Sequence, residues 1–411
     1  MPYINAFLSH HVGRPGQFRS IRYVVLSYKN NVNPCQFHQP HLYYSSLKAH
    51  KQPPPPPLQQ KCKQAKMKAF VTVEGRTAAV QEIPSPTPSE GEILVRVHYA
   101  AQNPTDWKAV PHRPAGRIIG CDFAGTVADA NGSHWREGQR VAGFVYGTMD
   151  GPLRGAYAEY LVTGSSFVWS VPDSVTFKDA STISLAFATA VQAMFQRLGL
   201  PEPSKPATSP FPVLINGGTS SVGLYAVQLA KLAGLYVIAT ASKQNHDLLT
   251  ALGADAVVDY KDPAWPQKVR ELSHDNLQHA FDCVAEKETT ATVARAMSPT
   301  NGGRVVCILP RKTAELPEDI SKVKVESTIV YTVFGDPLEL GDSPFENWGG
   351  PTPQDRKFWE KYLGMLPEYL ESGKIKPNPS RELGGLEAVA EGFALQQQGK
   401  VRAEKLVYKI A

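Results

Sequence analysis

The stretch "INGGTSSVGLYAVQLAKLAGLYVIATASK", residues 215–243, decides how the chain is read. An apolar run ending at Asn216 enters the turn "GGTSSVG", Leu224 to Ala233 repeat apolar residues at helical spacing, and "YVIATA" follows as a second apolar run. Strand, glycine turn, helix and strand in this order form a dinucleotide-binding unit. Glycine permits the tight turn, and the helix N-terminus presents free backbone N–H groups and a partial positive charge to a pyrophosphate. Thr219, Ser220 and Ser221 occupy the places of the usual middle glycines.

The end of the second strand selects the dinucleotide. Enzymes that use NAD place an Asp or Glu there against the ribose 2′-hydroxyl, whereas this chain has Ser242, Lys243 and Asn245. A carboxylate would repel a 2′-phosphate, and hydroxyl, ammonium and amide groups can donate to it, so NADPH is the expected cofactor. The alternative for Lys243 is a solvated residue at a helix start. Tyr260, after "AVVDY", either flanks the adenine end or packs as a core tyrosine.

Working outward, "VLIN", "YVIATA", "AVVDY", "HAFDCV" and "GRVVCIL" alternate with helical runs, which predicts a parallel, doubly wound sheet. Before it, "KAFVTV", "EILVRVHYA", "FAGTVADA", "RVAGFVYG" and "YAEYLVT" are short runs punctuated by Gly and Pro, the texture of a β-rich domain. After "STIVYTVFG" come a Pro- and Gly-rich loop, a helix "DRKFWEKYLGMLPEYLESG" and a closing strand "EKLVYKI" that returns to the first domain. The expected division is an extension over 1–66, a first catalytic part over 67–190, a dinucleotide domain over 191–340 and a returning segment over 341–411.

The chain of 411 residues is 42% hydrophobic and 20% charged, the balance of a globular protein, with no run of eighteen apolar residues. Its formal charge of +5 resides in the extension: residues 1–66 hold nine Lys or Arg and no acid, and the remainder carries 34 basic against 38 acidic residues. That remainder lacks the basic face that phosphate backbones require, which argues against nucleic-acid binding. The five cysteines show no C-x-x-C spacing, so neither a zinc ribbon nor a disulfide framework is indicated and a cytoplasmic location is expected. The extension ends in "HKQPPPPPLQQKCKQAK" and reads as a disordered basic and proline-rich tail. A mitochondrial transit peptide is the competing reading, with sparse Arg and no long amphipathic helix against it.

The motifs "NPTDWK" (103–108), "GCDFAGTV" (120–127), "GQRVAGFVYG" (138–147), "GAYAEY" (155–160), "GGTSSVG" (217–223) and "GKVRAEKLVYKI" (399–410) occur in order from Met67 to Ala411. On them the chain resembles the medium-chain dehydrogenase/reductase superfamily, and "NPTDWK" with "GGTSSVG" and "IATASKQN" is most similar to fungal trans-acting enoyl reductases of polyketide synthase pathways, of the lovastatin enoyl reductase type. The resemblance implies an α/β fold with a GroES-like β-rich catalytic domain and a Rossmann doubly wound parallel-sheet domain. It implies a cofactor site lined by Thr105, Asp106, Trp107 and Lys108; by Thr219, Ser220, Ser221 and Val222; and by Ser242, Lys243, Gln244, Asn245 and Tyr260. Ile308 and Leu309 would lie under the nicotinamide, and Val401 and Arg402 would close the site. Lys108 and Thr189 are the implied catalytic groups, against the alternatives of a surface charge and a helix-buried hydroxyl bonded to its own backbone. Substrate would lie along Ala190, Val191, Gln192, Ala193, Met194, Phe195, Gln196 and Arg197, and along Tyr331, Thr332, Val333, Phe334 and Gly335. Both segments serve equally as core.

Zinc alcohol dehydrogenases of the superfamily take ligands at positions equivalent to Asn103, the Cys121–Asp122 pair and "LAFATA". The first and last offer no Cys or His here, and Cys121 with Asp122 cannot complete a tetrahedral site, so no metal is expected. The resemblance implies NADPH-dependent reduction of the α,β-double bond of a polyketide held on the carrier protein of a polyketide synthase or hybrid peptide synthetase. A monomer is favoured by likeness to the lovastatin type, while many superfamily members pair through the edge of the nucleotide-binding sheet, and the composition leads to the expectation of no membrane partner. A quinone or enone reductase acting on small diffusible molecules, and a non-enzymatic NADPH-binding regulator, are the competing readings.

Overall fold

The chain builds a β-rich layer first and a parallel sheet second. The structure, a computed structural model, describes residues 65–149, 151, 153–335 and 353–411. The N-terminal extension up to residue 64 and the Pro- and Gly-rich loop after Gly335 lie outside the described residues.

A hairpin of β1 (Lys66–Val73) and β2 (Thr77–Pro84) lies beside a seven-stranded sheet formed by β3 (Glu92–Ala101), β4 (Asp122–Asp129), β5 (Arg140–Phe144), β6 (Tyr160–Gly164) and β7 (Val168–Ser170) with two late strands. In β3, Ile93, Val95 and Val97 are fully buried and Arg96 is exposed, the period-2 pattern of a strand with one face on a core. Helix α1 (Pro104–Ala109) leaves β3 with proline at its first position, where no N–H is needed. Helices α2 (Phe177–Ser181) and α3 (Ser184–Val191) lead to the second sheet.

That sheet contains β8 (Pro212–Asn216), β9 (Tyr236–Ala241), β10 (Ala256–Asp259), β11 (His279–Asp282), β12 (Gly303–Cys307) and β13 (Val323–Ser327), ordered β10-β9-β8-β11-β12-β13 and parallel throughout. Helices α4 (Ser221–Leu232), α5 (His246–Ala251), α6 (Trp265–Leu272) and α7 (Lys287–Ala296) make the crossovers. Val213, Leu214 and Ile215 are wholly buried, as expected of a strand with helices on both faces. The strand order reverses between β8 and β11, so the turn after β8 opens at the switch point where doubly wound sheets bind ligands.

Helix α8 (Pro353–Glu371) sets Trp359 and Tyr362 against Phe187 of α3, at ring distances of 6.4 and 6.3 Å. The chain then adds β14 (Ser380–Gly384), helix α9 (Val389–Gln397) and β15 (Lys405–Lys409), with β14 parallel to β15 and β15 antiparallel to β3. The late strands thus belong to the first sheet. One continuous apolar core runs from Phe144 and Trp169 through α3 and α4 to Tyr331 and Trp359. Among the described residues no helix is long and apolar enough to cross a membrane.

Candidate active site

The glycine turn is built for close approach. Gly217 has φ of +73°, which only glycine adopts freely, and its N–H donates to Thr240 Oγ1 at 2.9 Å. A Cβ on Gly218 would meet Leu249 Cδ1 at 2.8 Å, and one on Gly223 would lie 2.3 Å from the Gly217 carbonyl oxygen. Ser220 caps α4, its Oγ accepting from Gly223 N–H at 3.0 Å. Thr219, Ser220, Ser221 and Val222 remain partly accessible around the first turn of this 12-residue helix. Beneath the turn, Asp282 accepts from Asn216 Nδ2 (2.8 Å), from Ala285 N–H (2.9 Å) and from Thr290 Oγ1 (2.8 Å), while Thr240 Oγ1 donates to Asn216 Oδ1 at 2.7 Å. This buried network locks β8, β9 and β11 at their C-terminal ends. A backbone too crowded for side chains at the head of a free helix N-terminus fits a dinucleotide pyrophosphate.

At the end of β9, Ser242 is half-buried and accepts from Asn245 Nδ2 at 3.1 Å, and Lys243 and Gln244 are exposed. Tyr260 is 51% exposed, which removes the core alternative and leaves its ring available beside the turn after β10. Ile308 and Leu309 follow β12 half-buried. Val401 and Arg402 precede β15, with Arg402 exposed.

A second, drier cluster lies where the two sheets meet. Asp122, fully buried, accepts from Leu185 N–H (2.8 Å), Asn103 Nδ2 (2.9 Å) and the Lys405 ammonium (2.5 Å). Four segments are thereby tied to one carboxylate. Asp106 of α1 accepts from Asn103 N–H at 2.7 Å and from the Tyr157 hydroxyl at 2.8 Å. Burial pushes its carboxyl up to about 6 even though both hydrogen bonds pull the other way. Cys121 is buried beside it, and burial holds that thiol well above its usual range, hence neutral. The Tyr331 hydroxyl donates to Thr105 Oγ1 at 3.2 Å and lies 3.5 Å from Cys121 Sγ.

The two candidate substrate segments are bonded to each other. Residues Gln192–Arg197 continue α3 as a π turn, a form that recurs at functional sites. Buried Gln192 donates to Thr332 Oγ1 at 2.8 Å and accepts from Thr328 Oγ1, and Arg197 pairs with Asp355 of α8 at 3.2 Å. Val330–Phe334 form a 3₁₀ turn that Gly335 ends in the left-handed conformation at φ +83°. Tyr146 stacks on Tyr331 at 5.9 Å and packs on Phe334 at 4.3 Å.

Of the implied catalytic groups, Lys108 is exposed, its ammonium 5.6 Å over the Trp107 ring, and Trp107 Nε1 donates to Gln396 Oε1 at 3.0 Å. Thr189 is buried and its hydroxyl donates to the Leu185 carbonyl at 2.7 Å, which leaves only its lone pairs for a ligand. The buried ion pair of Asp122 with Lys405 is the contact that sequence reasoning misses: Asp122 is weighed there only as a metal ligand, and its partner lies 283 positions away. Among the described residues no three His, Cys, Asp or Glu side chains gather as a metal site.

Comparison with known proteins follows the same division. Residues 89–173 match the alcohol dehydrogenase GroES-like domain, and residues 221–339 match the zinc-binding dehydrogenase family. The chain is 37% identical over 350 residues to trans-enoyl reductase ACTTS2 of Alternaria alternata, covering 84% of this chain and 98% of that protein. It is 34% identical over 351 residues to trans-enoyl reductase thnE of Trichoderma harzianum, covering 82% and 94%. Among solved structures, an alcohol dehydrogenase superfamily protein from Novosphingobium aromaticivorans matches with a TM-score of 0.69 over 84% of this chain and all of that one; at 22% identity it shares the fold. A glycine turn at the switch point of a parallel sheet, a GroES-like partner sheet and near full-length similarity to these reductases make the chain a member of the medium-chain dehydrogenase/reductase superfamily, in its group of trans-enoyl reductases.

Proposed function

We propose that the protein is an NADPH-dependent, trans-acting enoyl reductase that reduces the α,β-double bond of a polyketide intermediate carried on a polyketide synthase or hybrid polyketide–peptide synthetase. The observation that carries this reading is the crowded glycine turn at the switch point of the parallel sheet, in a chain similar along most of its length to trans-enoyl reductases. NADPH, when bound, supplies a hydride to the β carbon of the enoyl thioester. The chain's part is to bind, orient and keep water away from the reacting atoms while negative charge moves to the thioester oxygen.

The roles of individual residues follow from chemistry and position. The α4 N-terminus and the Ser220 to Val222 turn hold the pyrophosphate. Ser242, Lys243 and Asn245 take the 2′-phosphate, a preference supported by the missing acid at the end of β9. Lys108 and Thr189 flank the nicotinamide. The aromatic wall of Tyr146, Tyr331 and Phe334 takes the acyl chain, and the acidic carrier protein docks outside it. Zinc is not required. Asp122 already accepts three hydrogen bonds, one from an ammonium, and Asn103 and Leu185 offer no Cys or His beside a neutral Cys121.

The test is dinucleotide oxidation by the full chain with 2-methylcrotonyl pantetheine, run with NADPH, NADH and, separately, a simple quinone. Thioester turnover with NADPH preferred is the expected result, and K243A should weaken NADPH about tenfold, the worth of one charge-assisted hydrogen bond, while leaving NADH unchanged. Turnover of the quinone alone overturns the substrate assignment. Equal use of NADH overturns the 2′-phosphate assignment.

A further inference from the structure

The Tyr331 hydroxyl is buried in the site with only weak acceptors for its proton. Three other buried tyrosines give theirs to carboxylates or an amide: Tyr157 to Asp106 at 2.8 Å, Tyr362 to Glu202 at 2.6 Å, Tyr408 to Gln102. Tyr331, 8% exposed, has a hydroxyl at 3.2 Å and a thiol sulfur at 3.5 Å, a long contact and a weak one. Burying a phenol without a good acceptor costs free energy that folding tolerates when the acceptor arrives with a ligand.

We infer that the Tyr331 hydroxyl is a catalytic hydrogen-bond donor to the thioester oxygen, holding the enolate formed when hydride reaches the β carbon. The assignment rests on the enoyl reductase reading. The donor is fixed before substrate arrives: its ring is stacked on Tyr146 and edge-on to Phe144, and its turn is pinned by the Gln192–Thr332 hydrogen bond and closed by Gly335. A donor held this way spends nothing on reorganisation as charge develops. Burial also keeps the phenol neutral, with its ionisation well above the ordinary tyrosine range. For the same reason Tyr331 holds the oxyanion and does not surrender its proton to the α carbon: a phenolate would sit in an apolar wall against Cys121. The α carbon takes its proton from water, and no group on the enzyme changes charge.

The closing experiment pairs turnover with a measurement that needs none. Y331F keeps the ring and its stacking. It should lower kcat for 2-methylcrotonyl pantetheine about 100-fold, with KM and NADPH binding within twofold of wild type. Acetoacetyl pantetheine, whose enolate absorbs in the near ultraviolet, should ionise on the wild-type enzyme with oxidised dinucleotide at a midpoint about one to two pH units lower than on Y331F. Should Y331F unfold early, ring-fluorinated tyrosine at position 331, a stronger donor of nearly the same shape, should lower that midpoint further. Unchanged kcat in folded Y331F, or a midpoint that neither variant moves, overturns the assignment. Absence of any wild-type thioester turnover overturns the enoyl reductase reading instead, and the two failures are told apart by the wild type alone.

Discussion

Replacing Gly223 and Gly364 by alanine makes the same chemical change in two helices and should give opposite results. In an open helix interior, Gly→Ala stabilises by about 1 kcal/mol because alanine has less backbone freedom to lose. Gly364, on the exposed face of α8, has nothing within 4 Å of a new Cβ, so G364A should gain most of that and melt about 1–3 °C higher. At Gly223 the Cβ would sit 2.3 Å from the Gly217 carbonyl oxygen and 2.8 and 2.9 Å from the Cα and carbonyl carbon of Gly218. Comfortable contact begins near 3.5 Å, so turn and helix must part by about 1 Å. The obstructing atoms are backbone, and α4 cannot retreat, because Leu224 to Ala230 are buried. Overpacking of this kind costs about 1–3 kcal/mol, which cancels or exceeds the propensity gain. Function should suffer more than stability. The displaced N–H groups are those proposed to hold the pyrophosphate, and each hydrogen bond to a charged acceptor is worth about 1.5–3 kcal/mol, so losing one should weaken binding about 10- to 150-fold. NADPH fluorescence titration of both variants, beside thermal unfolding, is the assay. G223A binding NADPH within twofold of wild type would refute the close-approach argument, and a destabilised G364A would refute the propensity half.

Two further outcomes concern the buried cluster. K405M strands the Asp122 carboxylate, fully buried, with its ammonium gone, and should cost about 3–5 kcal/mol in denaturant unfolding; the double variant D122N/K405M should recover part of it, and an additive double variant would show the pair is uncoupled. Asp106 titrates at about 6 in the fold against an ordinary value of 3.8, so the native state binds its proton more tightly than the unfolded chain does. Its contribution is therefore full below pH 4 and is lost as pH rises to about 6, a change of about 3 kcal/mol at 1.36 kcal/mol per unit. Thermal midpoints of D106N should lack this slope between pH 4 and 6.5, and an identical slope in both proteins would place the titration elsewhere.

Local periodicity carried much of the fold. The five apolar runs from "VLIN" to "GRVVCIL" are β8 to β12, and "EKLVYKI" is the strand that joins β3. What periodicity missed has a physical reason in each case. Strand β13, "VKVES", is five residues long with only Val323 and Val325 buried, too short for its alternation with exposed Lys324 and Glu326 to stand out, and as an edge strand it needs no longer apolar run. The hairpin strand β2 is mostly exposed and shows no apolar face. The π turn at Gln192–Arg197 looks helical in sequence. Its extra residue accompanies an amide satisfied by Thr328 and Thr332, some 140 positions away. The site divides the same way. The glycine turn is legible because its parts are neighbours in the chain, whereas Asp122–Lys405 and Thr105–Tyr331 join residues 283 and 226 positions apart, which no local pattern encodes.

The cluster around Asp122 also suggests why hydride addition to a conjugated thioester suits this site better than alcohol oxidation. Oxidising an alcohol requires an alkoxide, which a metal makes accessible by lowering the hydroxyl ionisation several units. Reducing an enoyl thioester needs no deprotonation, only a donor on the oxygen where charge collects. At the positions where zinc relatives are expected to carry ligands, this chain has an amide that donates to Asp122, a thiol kept neutral by burial and a backbone N–H of Leu185 spent on the same carboxylate. None of these can make an alkoxide. The neutral phenol of Tyr331, 3.5 Å from that thiol, is a donor that needs no ionisation. The Asp122–Lys405 pair then acts as scaffold, since it fixes α3, β4 and β15 around the hydroxyls of Thr105 and Tyr331 while keeping its own charges internally balanced. On this account K405M should loosen the site, and kcat for the enoyl thioester should fall by more than NADPH affinity does, because the glycine turn draws its rigidity from the separate Asp282 network.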